Sequence, residues 1–255
     1  MKQDTPTIRL DKFLSNAGII SRRGVKHFLK ENAVTVDGKR FTESGTRVEV
    51  TSEVLINGKK VSKPGFVYFL LNKPIGIISS TNDEFARDTV VSLIDTSQRI
   101  YPVGRLDKET HGLVLLTNDG ELTHKLIHPK YHVPKVYRLL INGKPTQHQL
   151  EQFRMGVFLR DGITLPAEVT VVKNVIPGLT RDPGSQNNQQ SMLEVTLHEG
   201  RNRQIRRMCE EVGLDLIDLE RIAFGPLRLG ELERGEYRAL SKKEIESLKQ
   251  AVSKS

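Results

Sequence analysis

The sequence predicts an α+β protein in two parts: a small helix–helix–hairpin module, then a larger domain with a largely antiparallel mixed sheet flanked by helices. Three observations predict this. Helical and strand-like segments mix without the regular strand–helix–strand alternation that builds a parallel sheet. The 255 residues are ample for two cores. The charge is uneven: residues 1–62 hold 12 Lys and Arg against 7 Asp and Glu, a net of +5 out of +8 for the whole chain. The division falls at Ser62-Lys63-Pro64-Gly65, a natural linker, giving expected domains 1–62 and 63–255.

In the first part, Leu10, Phe13, Leu14 and Ala17 recur at helical spacing and predict a helix from Ile8 to a stop at Gly18. Ser21 suits the N-cap of a second helix, Arg22 to Glu31. Its apolar face is Val25, Phe28 and Leu29, and its other face carries Arg22, Arg23, Lys26 and Lys30. Ala33 to Val36 alternates like a strand, Asp37-Gly38 is a hairpin turn, and Lys39 to Phe41 is the return strand. Arg47–Thr51 and Glu53–Asn57 read as a further strand pair.

In the second part, Phe66–Leu71 predicts a strand, Asn72–Gly76 a turn and Ile77–Ser80 an extended continuation. Asp88 is placed to cap a short helix through Ile94. Two apolar runs, Arg99–Val103 and Leu113–Leu116, then flank a charged segment. Helices are predicted at Gly120–Ile127, Thr146–Phe153, Arg201–Val212 and Ser241–Val252, with strands at Lys135–Ile141, Val169–Asn174 and Met192–Leu197. Pro177–Gln190 has two Pro, two Gly and a Gln/Asn cluster without periodicity, which predicts a mobile loop to which no function is assigned.

Composition narrows the function. A single cysteine, Cys209, excludes an intrachain disulfide and a cysteine zinc site, and its place on the stripe Ile205, Met208, Cys209, Val212 marks it as core. His124, His128 and His132 are spaced by four, but Pro129 keeps them off one helical face, so no metal is expected. No apolar run reaches membrane length and the N-terminus has no secretory pattern, so no membrane partner and a cytoplasmic location are expected. The basic balance favours a polyanion, most simply nucleic acid.

Three segments carry chemistry. Gly104-Arg105-Leu106-Asp107-Lys108-Glu109-Thr110-His111-Gly112 puts a carboxylate between two strand-like runs, where the plain reading is a turn aspartate. Glu199-Gly200-Arg201-Asn202-Arg203-Gln204-Ile205-Arg206-Arg207-Met208 packs four arginines into seven residues, which need anionic partners, whether RNA phosphates or protein carboxylates. In Pro134-Lys135-Val136-Tyr137-Arg138, strand alternation puts Lys135 and Tyr137 on one face, a cation beside an aromatic that suits an unstacked base.

Ser21-Arg22-Arg23 with Val34-Thr35-Val36-Asp37-Gly38-Lys39 resembles the RNA-binding domain typified by ribosomal protein S-four, over roughly residues 7–62. Arg22, Arg23, Lys26 and Lys39 would there contact phosphates. Over nearly the whole chain, Leu71-Asn72-Lys73-Pro74-Ile75-Gly76, Gly104-Arg105-Leu106-Asp107 with Gly112-Leu113, Lys135-x-Tyr137 and the 199–208 segment resemble, in order and spacing, bacterial ribosomal RNA pseudouridine synthases of the RsuA/RluB/RluF kind. The resemblance implies a pseudouridine-synthase-type second domain and ribosomal RNA as partner, that of the large subunit favoured by analogy with relatives. No cofactor is expected, since isomerisation oxidises nothing and carries no group away, and a monomer is expected. It implies that Asp107 is the catalytic aspartate, that Tyr137 packs on the target base, that Arg206 pairs with the carboxylate, and that Ile205 lies beneath the base. It implies that Arg105 helps hold the nucleotide flipped out. Arg203, Arg207 and Lys135 are further RNA-binding candidates. The alternative is a non-catalytic RNA-binding or ribosome-assembly factor in which Asp107 is a turn residue. A nucleic-acid glycosidase or nuclease using Asp107 and Glu109 is the weaker third reading.

Overall fold

The computed structural model describes residues 5–62, 64–81, 88–172 and 190–253. They form two units, each with its own core. The first runs to Val67 and also takes in Thr96–Ile100 and Asn118–Gly120. Its elements are β1 (Thr7–Arg9), α1 (Leu10–Asn16), α2 (Val25–Glu31), β2 (Val34–Val36), β3 (Lys39–Phe41), β4 (Arg47–Glu49), β5 (Val54–Ile56) and β6 (Lys59–Lys60). Leu10, Phe13, Leu14, Val25, Leu29, Val34 and Val36 meet in its core.

Three details of this unit differ from the sequence reading. Ile8 and Arg9 are strand, not helix, because β1 pairs antiparallel with β4. Ser21 does not cap α2. Its hydroxyl accepts from the Gly24 amide within a turn, and the helix starts at Val25, which leaves Arg22 and Arg23 ahead of it. The predicted pair β4–β5 does not form, since β5 pairs with β2 while β4 pairs with β1. The strand order is β3-β2-β5-β6. Two-residue left-handed turns make this possible at Asp37-Gly38 and at Asn57-Gly58, the second of which the sequence reading passed over.

The second unit contains β7 (Tyr68–Lys73), β8 (Tyr101–Pro102), β9 (His111–Thr117), α3 (Gly120–Ile127), β10 (Lys135–Asn142), α4 (Gln147–Met155), β11 (Phe158–Leu159), β12 (Gly162–Ile163), β13 (Glu168–Val172), β14 (Gln190–Leu197), α5 (Gln204–Val212), β15 (Asp215–Phe224), β16 (Leu227–Arg228), β17 (Tyr237–Ala239) and α6 (Lys242–Ala251). The main sheet runs β13-β14-β10-β15-β9-β7-β17, with β16 on β15 and β8 on β9. Among the described residues only β15–β9 is parallel, so the expected antiparallel α+β architecture is what forms.

One core gathers α4, α5 and the β11–β12 hairpin on β10, β13 and β14, and includes Cys209, whose thiol burial pushes up to about 12. The other gathers α3 and α6 against β7 and β9. Thr146 and Ser241 each build a full capping box. No helix forms after Asp88. Thr89 instead bridges to Ile78, and the Ser92 hydroxyl donates to the Thr89 carbonyl at 2.8 Å in a tight turn. The 201–212 helix starts at Gln204, after Arg203 in a left-handed conformation. Asn72 and Lys73 belong to β7 and not to the turn after it. The loop predicted at Pro177–Gln190 lies outside the described residues, apart from Gln190, which opens β14.

Candidate active site

Where the two cores of the second unit meet, a cleft of about 390 Å³ opens. Its walls include Arg105, Asp107, Lys135, Tyr137, Ile205 and Arg206. Three separate stretches of sequence therefore converge: the loop before β9, the start of β10, and the approach to α5 with its first turn.

The loop carrying Asp107 is fixed by its backbone. Ser79 Oγ donates to the Leu106 carbonyl at 2.9 Å and accepts from the Leu106 amide at 3.0 Å. The Leu106 side chain is buried, the Lys108 carbonyl accepts from the Gly76 amide, and the Thr110 amide closes a turn on the Asp107 carbonyl. At the loop's end Gly112 is irreplaceable. A Cβ there would lie 2.4 Å from the Arg221 carbonyl oxygen and 2.7 Å from its nitrogen, and φ is +103°. The "G-L" after the loop is thus the point where β9 crosses close to β15. The Asp107 carboxylate is half-buried, lines the cleft, and has no hydrogen-bond or ion-pair partner among the described residues.

Behind this loop lies Lys73, fully buried, its ammonium donating to the Pro74 carbonyl at 2.9 Å and reaching that of Lys108 at 3.5 Å. Burial pushes it down to about 8, against the opposing pull of Asp107 and Glu109. Sequence reasoning quoted Lys73 within a motif and gave it no role; the signal was a charge set in an otherwise apolar strand.

The arginine segment is satisfied mostly by protein groups. Arg206 Nη2 donates to the Glu109 carbonyl at 3.0 Å and to Thr110 Oγ1 at 3.2 Å, while its buried Nε is unpartnered. The expected direct pairing of Arg206 with the Asp107 carboxylate is not present, because the guanidinium is drawn to the loop two and three residues further on. Arg203 Nη1 meets Glu109 Oε2 at 2.9 Å; a backbone hydrogen bond first, then this contact, holds the Glu109 carboxyl below its usual range. Arg207 makes a two-pronged contact with Asp161 at 2.8 and 3.1 Å and does not line the cleft. Arg201 clasps Glu199 at 3.1 Å and the hairpin carbonyls of Asp161 and Gly162. Buried Gln204 joins this cluster, donating to Glu199 at 2.8 Å.

Opposite Asp107, Tyr137 and Lys135 stand half-buried at the start of β10, and buried Ile205 faces the same cleft. Lys135 donates to the Val133 carbonyl at 3.0 Å. Burial first, then the charge of Arg221, pushes it down to about 8. Arg105 is exposed at the rim. Arg22, Arg23, Lys26 and Lys39 belong to the first unit and are exposed. Arg22 touches the buried Asp11 carboxylate at 3.3 Å, while Arg23, Lys26 and Lys39 have no ion pair among the described residues. No group of three or more His, Cys, Asp or Glu among the described residues could hold a metal ion, and no helix there is long and apolar enough to cross a membrane.

Residues 67–211 match the family model described as RNA pseudouridylate synthase, and residues 8–54 match the S4 domain. The chain belongs to the RNA pseudouridylate synthase family. It is 41% identical to the ribosomal large subunit pseudouridine synthase B of Bacillus subtilis, over 94% of this chain and 95% of that one. It is 33% identical to the dual-specificity RNA pseudouridine synthase RluF of Escherichia coli, over 94% of this chain and 77% of that protein. A crystal structure of a pseudouridylate synthase, 29% identical, superposes with a TM-score of 0.64 over 94% of this chain and 99% of the other. The family thus has the resemblance's uridine-isomerising activity.

Proposed function

We propose that the enzyme converts uridine to pseudouridine in ribosomal RNA, that of the large subunit, with Asp107 as the catalytic carboxylate and Tyr137 packing on the target base. The observation that carries this is the convergence of Asp107, Tyr137, Ile205, Arg206 and Arg105 on one cleft from three stretches of sequence. The names of the relatives support the choice of RNA. Residues 1–62 supply phosphate contacts through Arg22, Arg23, Lys26 and Lys39, and residues 63–255 carry the chemistry. The enzyme acts as a monomer in the cytoplasm.

The chemistry asks for what the cleft offers. The N1–C1′ bond must break, the ring must turn, and C5 must bond to C1′. No group leaves the molecule and no electrons are gained or lost overall. The base has to leave its stack, at roughly a few kcal/mol, so an unpaired or loop uridine is the natural substrate. Tyr137 and Ile205 form apolar surfaces for the ejected ring, and Arg105 at the rim can hold the strand in the flipped state. A carboxylate with no protein partner is free to engage the nucleotide. Arg206 serves as a brace for the Asp107 loop in this state. Mapping pseudouridines on ribosomal RNA from cells with and without this gene tests the reading. It predicts loss of modification at one or a few large-subunit uridines; an unchanged map in both subunits overturns it.

A further inference from the structure

Arg221 is the largest fully buried side chain of the described residues, 2% exposed. It sits on β15 directly opposite Tyr137 on β10, and both line the cleft. Its Nε donates to the Leu113 carbonyl at 2.7 Å, while its Nη2 is buried without a hydrogen-bond partner. No carboxylate among the described residues forms an ion pair with it. An arginine buried without a counter-charge is costly, and a ligand that supplies an acceptor for it would offset that cost. Nearby stands a second cation: Lys135, whose ammonium lies 5.9 Å from the Phe224 ring, while the Arg221 guanidinium lies 5.4 Å from the same ring. The crowding of these two charges helps to push Lys135 down to about 8.

We propose that Arg221, assisted by Lys135, is a catalytic residue that binds a ring oxygen of the uracil while the base is detached from its sugar. This rests on the activity proposed above. A phosphate is the less suitable occupant, because the exposed Arg105 at the rim stands ready for the backbone, whereas Arg221 is buried and opposite the tyrosine on which the ring packs. The charge that Asp107 gives up passes to the ring, where such a group would meet it. When the N1–C1′ bond breaks, its electron pair stays on the ring and spreads over O2 and O4, and the electron-poor C1′ is taken by a carboxylate oxygen of Asp107. When C5 attacks C1′, the Asp107 oxygen leaves with its electrons, C5 releases its proton, and N1 takes one up. A donor fixed in a dry site acts most strongly on the anionic stage and keeps the free ring from escaping.

The test is single-turnover tritium release from large-subunit ribosomal RNA labelled at C5 of uridine, alongside RNA binding, for wild type, Arg221→Met, Arg221→Lys and Lys135→Met. The single-turnover rate should fall on the order of 100-fold in Arg221→Met, in line with loss of one oxyanion donor. It should fall about tenfold in Lys135→Met and be partly restored by the charge in Arg221→Lys, with RNA affinity within about twofold throughout. Should Arg221→Met fail to fold, Arg221→Lys and Lys135→Met decide. Unaltered rates in those variants overturn the proposal. So does a tenfold loss of RNA affinity at an unchanged rate, which would make this a phosphate site. A wild-type protein that releases no tritium would instead sink the underlying function, a distinguishable failure.

Discussion

Asp107 is held by its neighbours and not by its own carboxylate. Ser79 pins Leu106 on one side of it, Arg206 pins Glu109 and Thr110 on the other, and Gly112 allows the chain to pass against β15. Removing its charge should therefore leave the fold intact. Asp107→Asn is expected to change unfolding free energy by less than about 1 kcal/mol, since the carboxylate makes no hydrogen bond among the described residues and only its charge beside Lys73 is lost. It should lower the isomerisation rate by roughly 10³-fold or more, the scale seen when a central catalytic group is lost. Thermal melting and a rate assay on the same preparation check both halves. Gly112→Ala is the contrasting case. Its Cβ would meet backbone that cannot yield, and the left-handed φ adds strain. A loss of about 3 kcal/mol or more is expected, overpacking and backbone strain each costing ~1–3 kcal/mol. Chemical denaturation measures it. At this scale the motif residues were legible as a group, while the true neighbours of Asp107 were not. Lys73, Ser79 and Arg221 come from far along the chain, and only the fold brings them beside the loop.

At the scale of elements, the join between β9 and β15 is parallel and short, and it lies at the end of the Asp107 loop. Side chains reinforce it. His111, 1% exposed, is 2.9 Å from Asp218 and 3.5 Å from Glu220. Burial opposes its charge, but these two carboxylates outweigh burial and the nearby Arg234, so its titration is raised above the usual histidine range. The same contacts hold Asp218 and Glu220 below theirs. A raised histidine favours the folded state fully below its unfolded value, near 6.5, and that contribution is lost as pH rises through the folded value. Stability of the wild type should therefore decline from about pH 6.5 upward through that range, and His111→Gln should be less stable at pH 6 and lack this decline. Unfolding free energies between pH 6 and 9 provide the check. The same strand shows why sequence patterning missed an element. Asp215–Phe224 alternates charged and apolar residues, and its acids look like surface until Arg138 and His111 are seen to face them. Helices α3, α4 and α6 were legible because their apolar spacing and stops are local. The starts of α2 and α5 were not, since each is set by a turn whose hydrogen bonds no propensity reveals.

At the scale of the molecule, the proposed function divides RNA binding and chemistry between the units. The first unit carries Arg23, Lys26 and Lys39 exposed and without ion pairs among the described residues, while the arginines near the cleft are mostly engaged with Glu199, Asp161 and the Glu109 loop. Removing residues 1–62 should accordingly raise the RNA concentration needed for half-maximal rate, and flatten the dependence of affinity on salt, more than it slows the chemical step. Titrations of rate against RNA at two salt concentrations measure this, and an unchanged concentration dependence would contradict it. The architecture itself was legible from mixed strand and helix signals and from the uneven charge. The pairing partners of individual strands were not, because pairing across a sheet depends on contacts remote in sequence, as β4 shows by joining β1 and not β5.

One carboxylate acting on an ejected uridine is the central claim. The most direct measurement is tritium release from C5-labelled uridine in large-subunit ribosomal RNA, compared between wild type and Asp107→Asn under single-turnover conditions. Release by the wild type and its near-complete loss in the variant, with equal RNA binding and equal melting temperature, is the result predicted. Equal release by both proteins would contradict the account.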